Sequence, residues 1–135
     1  TITRAEFTVM IVKALNLETR AGKTFTDTAS HWAKESISTA AAYGIISGYD
    51  ENIFGPDDLI TREQAAVIIA RAGKLETATD ESNFTDNKAI SSWAKKGVAA
   101  AFKGKFITGY PDGTFKPQGK TTRAEAAVII GKLLK

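Results

Sequence analysis

The chain has 135 residues, of which 43% are hydrophobic, and its 18 Lys and Arg against 15 Asp and Glu give a net charge of +3. This length and composition suit one compact domain and argue against bulk disorder. The charge is too small to indicate nucleic acid, and the absence of cysteine excludes disulfides and thiolate metal sites.

The first predicted element is a helix that begins at Thr3-Arg4-Ala5-Glu6. Thr at the N-cap with Glu three residues later is the pattern of a helix capping box. The apolar residues that follow recur at the spacing of one helical face. They are Phe7, Met10, Ile11, Ala14 and Leu15. We therefore predict a helix after Thr3.

A longer unit follows over residues 21–79. An alanine-rich stripe after Trp32 predicts its first helix, which Gly44 would end. Pro56 keeps the next connection non-helical, and a second capping box then predicts another helix. In chain order the motifs are Phe25-Thr-Asp27, Trp32-Ala33-Lys34, Ile46-Ser47-Gly48-Tyr49, Phe54-Gly-Pro56 and Thr61-Arg62-Glu63-Gln64.

The last unit, residues 80–135, repeats this order. We predict an exposed linker over 74–83 before it, a helix that Gly104 ends, and a type I turn at Tyr110-Pro111-Asp112-Gly113. Its motifs are Phe84-Thr-Asp86, Trp93-Ala94-Lys95, Ile107-Thr108-Gly109-Tyr110, Phe115-Lys-Pro117 and Thr122-Arg123-Ala124-Glu125.

These motifs make the chain an internal repeat, because the Arg residues of the three boxes are 58 and 61 positions apart. Residues 1–20 are the second half of repeat one, 21–79 are repeat two and 80–135 are repeat three. We predict an all-α domain in which helices pair within each unit. The units close around a pseudo-threefold axis, so that the apolar stripes meet in one core. An open solenoid is the alternative.

An Arg occupies the first helical position after each box, although capping does not require it. A cation there faces the positive end of the helix dipole, which costs about a few tenths of a kcal/mol. A bound anion would reverse this, because Arg, free backbone N–H groups and dipole would then act together. We therefore predict that Arg4, Arg62 and Arg123 bind an anionic ligand. A salt bridge or a solvated side chain is the alternative.

Two further pairs of repeated residues are candidates for the wall of this site. Trp32 and Trp93 suit stacking against sugar C–H faces, with a place in the core as the alternative. Asp27 and Asp86 suit a structural role at the turn before the first helix, although a carboxylate also accepts hydrogen bonds from sugar hydroxyls.

The Gly-Tyr pairs of the two connections complete the candidate site. Gly48 and Gly109 would permit a positive φ or a close approach of ligand to backbone. Tyr49 and Tyr110 would offer a hydroxyl group to the groove.

This ordered set of motifs resembles the S-layer homology family of bacterial cell-surface anchoring modules, and the resemblance covers nearly the whole chain. It implies a three-repeat, pseudo-threefold helical domain. It also implies binding of secondary cell wall polysaccharide, often carrying a pyruvate ketal, in grooves between repeats. The chain departs from the family pattern at Glu63-Gln64, where Ala-Glu is usual, and at Thr121, where Ile is usual. The first half of repeat one is missing.

We interpret the chain as a non-catalytic module on the extracellular surface that binds an acidic cell-wall glycan. No cofactor or metal is expected, because the acidic residues lack the loop spacing of a calcium site. No nucleophile motif supports catalysis, and no stretch approaches the about 20 apolar residues of a membrane span. The alternative is a protein–protein assembly module of a surface lattice; a glycan-processing fragment is a weaker third interpretation.

The closed arrangement predicts that each box helix starts against the first helix of the next unit. Arg4 should lie near Asp27 and Trp32 of the next unit, and Arg62 near its counterparts Asp86 and Trp93. If the groove of Arg62 is occupied, we expect Arg62→Ala to weaken glycan binding by about 1.5–3 kcal/mol and hardly to change the melting temperature.

The missing half of repeat one predicts an incomplete surface. Arg123 should face the position of the absent first helix, beside an exposed apolar surface. We expect an N-terminal segment or a second copy of the chain to cover it, which implies self-association for the chain alone.

Overall fold

Three of the helices begin at the three capping boxes, and the other two begin just after the tryptophans. The computed structural model describes residues 1–75 and 83–134, so most of the predicted linker over 74–83 lies outside the described residues. Within those ranges the α-helices are α1 (Arg4–Ala14), α2 (Lys34–Ala42), α3 (Arg62–Ala72), α4 (Lys95–Lys103) and α5 (Arg123–Lys132). The all-α prediction is confirmed. None of the helices within residues 1–75 and 83–134 has the length and hydrophobicity of a membrane-spanning segment.

Each capping box forms as predicted. The Thr3 hydroxyl accepts a hydrogen bond from the Glu6 N–H at 3.0 Å, and Glu6 Oε1 accepts one from the Thr3 N–H at 2.9 Å. The boxes at the starts of α3 and α5 make the same reciprocal pair. Each cap stabilises its helix by about 1 kcal/mol. The capping Glu or Gln uses only Oε1 for this bond, so the second polar atom of its side chain can contact a neighbouring residue.

The helices pack across the repeat units rather than within them. α1 packs mainly against α2, α3 packs mainly against α4, and α5 lies against both α1 and α3. The expectation that each box helix lies against the first helix of the next unit is therefore confirmed, whereas the two helices of one unit do not make the main contact. The α3–α4 approach needs a glycine, because a Cβ on Gly97 would lie 2.9 Å from Val67 Cγ2. Shape complementarity between neighbouring repeats thus decides which helices meet.

The residues just before the three boxes form a closed ring of backbone hydrogen bonds. The Ile2 N–H donates to the Thr121 carbonyl at 3.3 Å, the Thr121 N–H donates to the Ile60 carbonyl at 3.0 Å, and the Ile60 N–H donates to the Ile2 carbonyl at 3.0 Å. All three residues are buried. This ring lies at the centre of the predicted pseudo-threefold arrangement, which it confirms.

Residues with a left-handed backbone conformation follow α2 and α4. Gly44 follows α2 with φ 73°, as its predicted terminating role requires. Gly104 is the C-cap of α4 with φ −76°, and the left-handed position falls to Lys105, with φ 65°. The predicted turn at Tyr110 also forms, since the Gly113 N–H donates to the Tyr110 carbonyl at 2.9 Å.

Thr121 gives a first prediction, because its hydroxyl lies buried with no hydrogen-bond partner among residues 1–75 and 83–134. We expect Thr121→Val to raise the free energy of unfolding by about 1 kcal/mol, because it replaces an unpaired hydroxyl with a methyl group of the same shape. Urea denaturation measures this change.

The matched control is Thr28→Val, at another buried threonine. Thr28 Oγ1 accepts a hydrogen bond from the Phe25 N–H at 3.1 Å, so its loss should destabilise the domain by about 1–2 kcal/mol. Equal destabilisation by the two variants would contradict this account of Thr121.

Candidate functional site

Arg4 is buried, with 5% of its surface exposed. It binds the segment between α2 and α3, which is the connection of repeat two. Its Nε donates to the Phe54 carbonyl at 3.0 Å and its Nη2 donates to the Ser47 carbonyl at 3.3 Å. The guanidinium carbon lies 4.6 Å from the Tyr49 ring centroid, a cation–π contact. Burial lowers the pKa of Arg4, although nearby acidic groups oppose this shift. An arginine with so high an ordinary pKa stays charged at neutral pH.

Arg62 occupies the equivalent position in the next repeat and is also buried. Its Nε donates to the Phe115 carbonyl at 2.7 Å, and its Nη2 donates to the Thr108 carbonyl at 3.3 Å. A third group, Nη1, forms an ion pair with the carboxylate of Glu125, the capping residue of α5. All three sides of this guanidinium therefore have partners within the protein.

Arg123 is exposed, with 67% of its side chain accessible, and its Nη2 donates to Glu6 Oε2 at 2.6 Å. Glu6 is the capping residue of α1. Two of the three box arginines therefore pair with the capping carboxylate of another box. The remaining capping residue is Gln64, whose amide carries no charge.

The predicted free N–H groups are not free at α1 and α3. The Arg4 N–H donates to the Asp58 carbonyl at 2.8 Å, and the Ala5 N–H donates to the Pro56 carbonyl at 2.9 Å. The first two N–H groups of α3 make the equivalent bonds to the connection of repeat three. The sequence argument that these N–H groups would bind an anion together with the arginine is therefore wrong for these helices.

Asp27 and Asp86 hold the connections from the other side. The Asp27 carboxylate accepts hydrogen bonds from the N–H groups of Phe54 at 3.0 Å and Gly55 at 2.9 Å. Asp86 makes the same pair of bonds one repeat later. Burial acts to raise the pKa of Asp27, but the hydrogen bonds outweigh it and the pKa is lowered. Their contacts are structural, at the connection rather than at the turn before the first helix.

Gly48 and Gly109 do not have the positive φ that was expected as one possibility. Close packing requires the glycines, since a Cβ on Gly48 would lie 2.5 Å from the Phe25 ring and one on Gly109 would lie 2.6 Å from the Phe84 ring. The approaching group is therefore a core phenylalanine of the same repeat.

The tyrosines lie under the arginines, and the tryptophans lie at the surface. The Tyr49 hydroxyl donates to Asp58 at 2.8 Å, and burial followed by this bond raises its pKa. The Tyr110 ring lies 4.6 Å from the guanidinium carbon of Arg62. Trp32 and Trp93 are 68% and 60% exposed, so the alternative of a core role is wrong for both.

A cavity of about 400 Å³ lies beside α3, and we call it the α3 groove. The residues that matter for its chemistry are Arg4, Ser47, Tyr49, Gln64, Arg71 and Trp93. Two guanidinium groups converge there on Ser47: Arg71 Nη1 donates to its hydroxyl at 3.2 Å, and Arg4 donates to its carbonyl. Among the described residues, no carboxylate lines this groove.

A second cavity, of about 270 Å³, lies beside α5, and we call it the α5 groove. Arg62, Glu125 and Lys132 stand in the places that Arg4, Gln64 and Arg71 take in the α3 groove. No tryptophan from the described ranges lines it, and Val128 on its rim is 59% exposed. The two grooves thus have equivalent residues at three positions. They differ in charge, because only the α5 groove contains a carboxylate, and only the α3 groove contains a tryptophan among the described residues.

The predicted neighbours of the arginines are partly corrected. Arg4 lies near Asp27 as expected, since the two residues bind the carbonyl and the N–H of Phe54, but the tryptophan that shares its groove is Trp93, not Trp32. Trp93 does not line the groove of Arg62. The reason is the packing of helices across units, which brings the start of α4 beside α3.

Comparisons with known proteins agree with the architecture. The S-layer homology domain family matches residues 24–66 and 83–127. Over 99% of its length the chain is 44% identical to an amylopullulanase of Thermoanaerobacterium thermosulfurigenes, and over 98% it is 38% identical to a cellulosome-anchoring protein of Acetivibrio thermocellus. The chain spans only 8% and 32% of those proteins.

A solved structure supports the fold. The undecaheme cytochrome from the S-layer of Carboxydothermus ferrireducens matches 98% of this chain and 17% of its own, with a TM-score of 0.58 and 17% identity.

Within residues 1–75 and 83–134, no cluster of His, Cys, Asp and Glu is suited to hold a metal ion.

The buried and exposed arginines give a paired prediction. We expect Arg62→Ala to lower the free energy of unfolding by about 3 kcal/mol, because it leaves two buried carbonyls and Glu125 without their partner. This replaces the expectation that its melting temperature hardly changes. Arg123→Ala should cost about 0.5 kcal/mol or less, since its ion pair is exposed. Chemical denaturation of both variants measures the difference, and equal losses would refute the assigned roles.

Proposed function

Because the chain belongs to the S-layer homology domain family, we propose that it is a non-catalytic module that anchors a protein to the bacterial cell wall. The ligand is an acidic secondary cell wall polysaccharide bearing a pyruvate ketal, and the α3 groove binds it. The module acts outside the cell, at the surface of the envelope. Its repeats are residues 1–20, 21–79 and 80–135.

The single observation that carries this proposal is the convergence of Arg4 and Arg71 on Ser47, in a groove that no described carboxylate lines. A pyruvate ketal presents a planar carboxylate beside an apolar methyl group. Guanidinium groups bind carboxylates through two parallel hydrogen bonds, and they do so best where water is partly excluded. The groove therefore matches the acidic part of such a glycan.

Trp93 supplies the surface for the sugar itself. Its indole is 60% exposed at the edge of the α3 groove, although a large aromatic side chain gains by burial. Sugar rings present C–H faces that pack on an indole. The volume of about 400 Å³ lies within the usual range of small-molecule sites, about 300–1,000 Å³.

The relatives support anchoring more than catalysis. One of them is named a cellulosome-anchoring protein, and the matched region is only part of each relative. The activity in the name of the amylopullulanase is not assigned to this chain, which spans 8% of that protein. Glycoside hydrolysis requires a pair of free carboxylates. In the described grooves, Arg62 forms an ion pair with Glu125, and Arg4 lies in a groove that no carboxylate lines.

Calorimetric titration with purified wall polysaccharide tests this function. We expect Arg71→Ala and Trp93→Ala each to weaken binding by about 1.5–3 kcal/mol, because one loses a charge-assisted hydrogen bond and the other a stacking surface. Both side chains are exposed, so stability should hardly change.

The control substitution is Lys132→Ala, which removes the corresponding cation of the α5 groove and should leave the affinity unchanged. The control ligand is the same polysaccharide with its pyruvate removed, which should bind at least about tenfold more weakly. Equal affinity for native and depyruvylated polysaccharide would refute the carboxylate site. Shortening of the polysaccharide would instead indicate an enzyme.

One observation favours the alternative of an assembly module. On α3, Val67 is covered by Gly97 of α4, but the equivalent Val128 of α5 is 59% exposed and Leu134 further along is 61% exposed. An uncovered apolar surface at a position that packs a helix elsewhere in the same fold suits a partner. For this chain alone, that partner is a second copy.

Light scattering tests this self-association. We expect the chain to form dimers as its concentration rises and Val128→Asp to remain monomeric, because a carboxylate cannot be buried against an apolar partner. Val67→Asp is not a usable control, since it would disrupt the core. The control is Lys34→Asp at the exposed start of α2, a helix that packs against α1 rather than α5. A wild-type chain that stays monomeric at millimolar concentration would exclude the dimer.

A further inference from the structure

The α3 groove and the α5 groove contain equivalent arginines, Arg4 and Arg62, but differ in the capping residue that lines each groove. We propose that Gln64 directs the acidic ligand to the α3 groove and that Glu125 excludes it from the α5 groove. This inference rests on the proposed function and assigns specificity to two residues whose other role is helix capping.

The two atoms of each capping head group have separate partners. Glu125 Oε1 accepts from the Thr122 N–H at 3.0 Å, and its Oε2 binds Arg62. Gln64 Oε1 accepts from the Thr61 N–H at 2.9 Å. The second atom of Gln64 is therefore the amide nitrogen, which is a donor and cannot accept a hydrogen bond from a guanidinium group.

Arg4 is left with one guanidinium nitrogen, Nη1, that has no partner among the described residues. Its Nε and Nη2 bind the Phe54 and Ser47 carbonyls, as those of Arg62 bind the equivalent carbonyls. Its Nη1, which corresponds to the group of Arg62 that binds Glu125, has no hydrogen-bond partner in the described part of the chain. A cation with 5% exposure and a free donor in a groove is a strong position for an anionic ligand.

The nearby carboxylates are already bound to other donors. Glu63, the acidic residue next to Gln64, is buried, and it accepts hydrogen bonds from the Ser91 N–H at 2.9 Å and the Ser91 hydroxyl at 2.6 Å. Asp58 accepts from Tyr49, and Asp27 binds two backbone N–H groups of the connection. These carboxylates moderate the charge of the region, but none of them lines the α3 groove.

Helix capping alone does not account for this difference between the grooves. Gln64 and Glu125 both complete their capping boxes with the same two hydrogen bonds. Glutamate would also place a favourable negative charge in the first helical turn, so glutamine gives up a small stabilisation. In the α5 groove an incoming carboxylate would have to displace Glu125 from Arg62 and would meet its negative charge, which discriminates against acidic ligands.

The test exchanges the two capping residues singly. The probe is a synthetic methyl hexoside carrying a pyruvate ketal, and the control probe is its neutral methyl ester. NMR titration follows the indole N–H of Trp93, which reports on the α3 groove, and the backbone N–H of Thr108, which reports on the α5 groove. Thermal unfolding of each variant checks the fold.

We expect Gln64→Glu to weaken binding of the acidic probe at Trp93 by about tenfold to a hundredfold, because the new carboxylate occupies Arg4. Binding of the neutral ester should weaken far less than binding of the acidic probe, since the ester carries no charge for the new carboxylate to repel. The melting temperature should not fall, since glutamate caps a helix at least as well as glutamine. Glu125→Gln should leave the response of Trp93 unchanged and should produce a new, weaker response at Thr108.

The outcomes separate the two proposals. If the wild-type chain binds the acidic probe and Gln64→Glu binds it equally well, the role of Gln64 is refuted while the proposed function stands. If Glu125→Gln gives no response at Thr108, the exclusion by Glu125 is refuted. If the wild-type chain binds neither the probe nor the wall polysaccharide, the proposed function fails and this inference fails with it.

Discussion

The fold depends on a closed ring of three backbone hydrogen bonds among Ile2, Ile60 and Thr121. Each of these residues lies directly before the threonine of a capping box, so the ring brings the starts of α1, α3 and α5 to one axis. A ring of this kind joins the two ends of the chain and excludes an open stack of repeats. The hydrogen bonds of Arg4 and Arg62 follow from it, because each of these helix starts is thereby placed against the connection of another repeat.

In the proposed site, Arg4 has a structural role as well as a role in binding. Arg4 uses two of its donor groups to hold the connection of repeat two, and these bonds fix the guanidinium group in place. A cation held rigidly by the protein loses little conformational entropy when a ligand binds, so its third donor is preorganised. The helix N–H groups beside it are satisfied by carbonyls of the same connection. The anion binding that we propose for this region is therefore assigned to the side chains of the groove.

The three junctions around the axis are similar in geometry but not in charge. Arg62 and Arg123 bind the carboxylates of Glu125 and Glu6, whereas Arg4 shares its groove with the neutral Gln64. The acidic residue of the second box is displaced by one position to Glu63, where it ties α3 to the turn before α4 through Ser91. A shift of one residue along a helix turns a side chain by about 100°, so the same charge serves a different neighbour. Repetition of the motif therefore produces grooves that are alike in shape and unlike in electrostatics.

The sequence by itself determined the features that depend on local physics or on the recurrence of a motif. The capping boxes, the helices with their apolar stripes, the turn at Tyr110 and the family could be predicted because each depends on residues close together in the chain or on their repeated order. The tertiary structure decided which helices pack together and which tryptophan accompanies Arg4, since contacts between distant residues leave no local pattern. It also decided why Gly48 is a glycine, which the Phe25 ring explains. Burial decided the rest: the same Thr-Arg pattern places Arg62 in the interior and Arg123 at the surface, because only the surrounding repeats determine whether a side chain is covered.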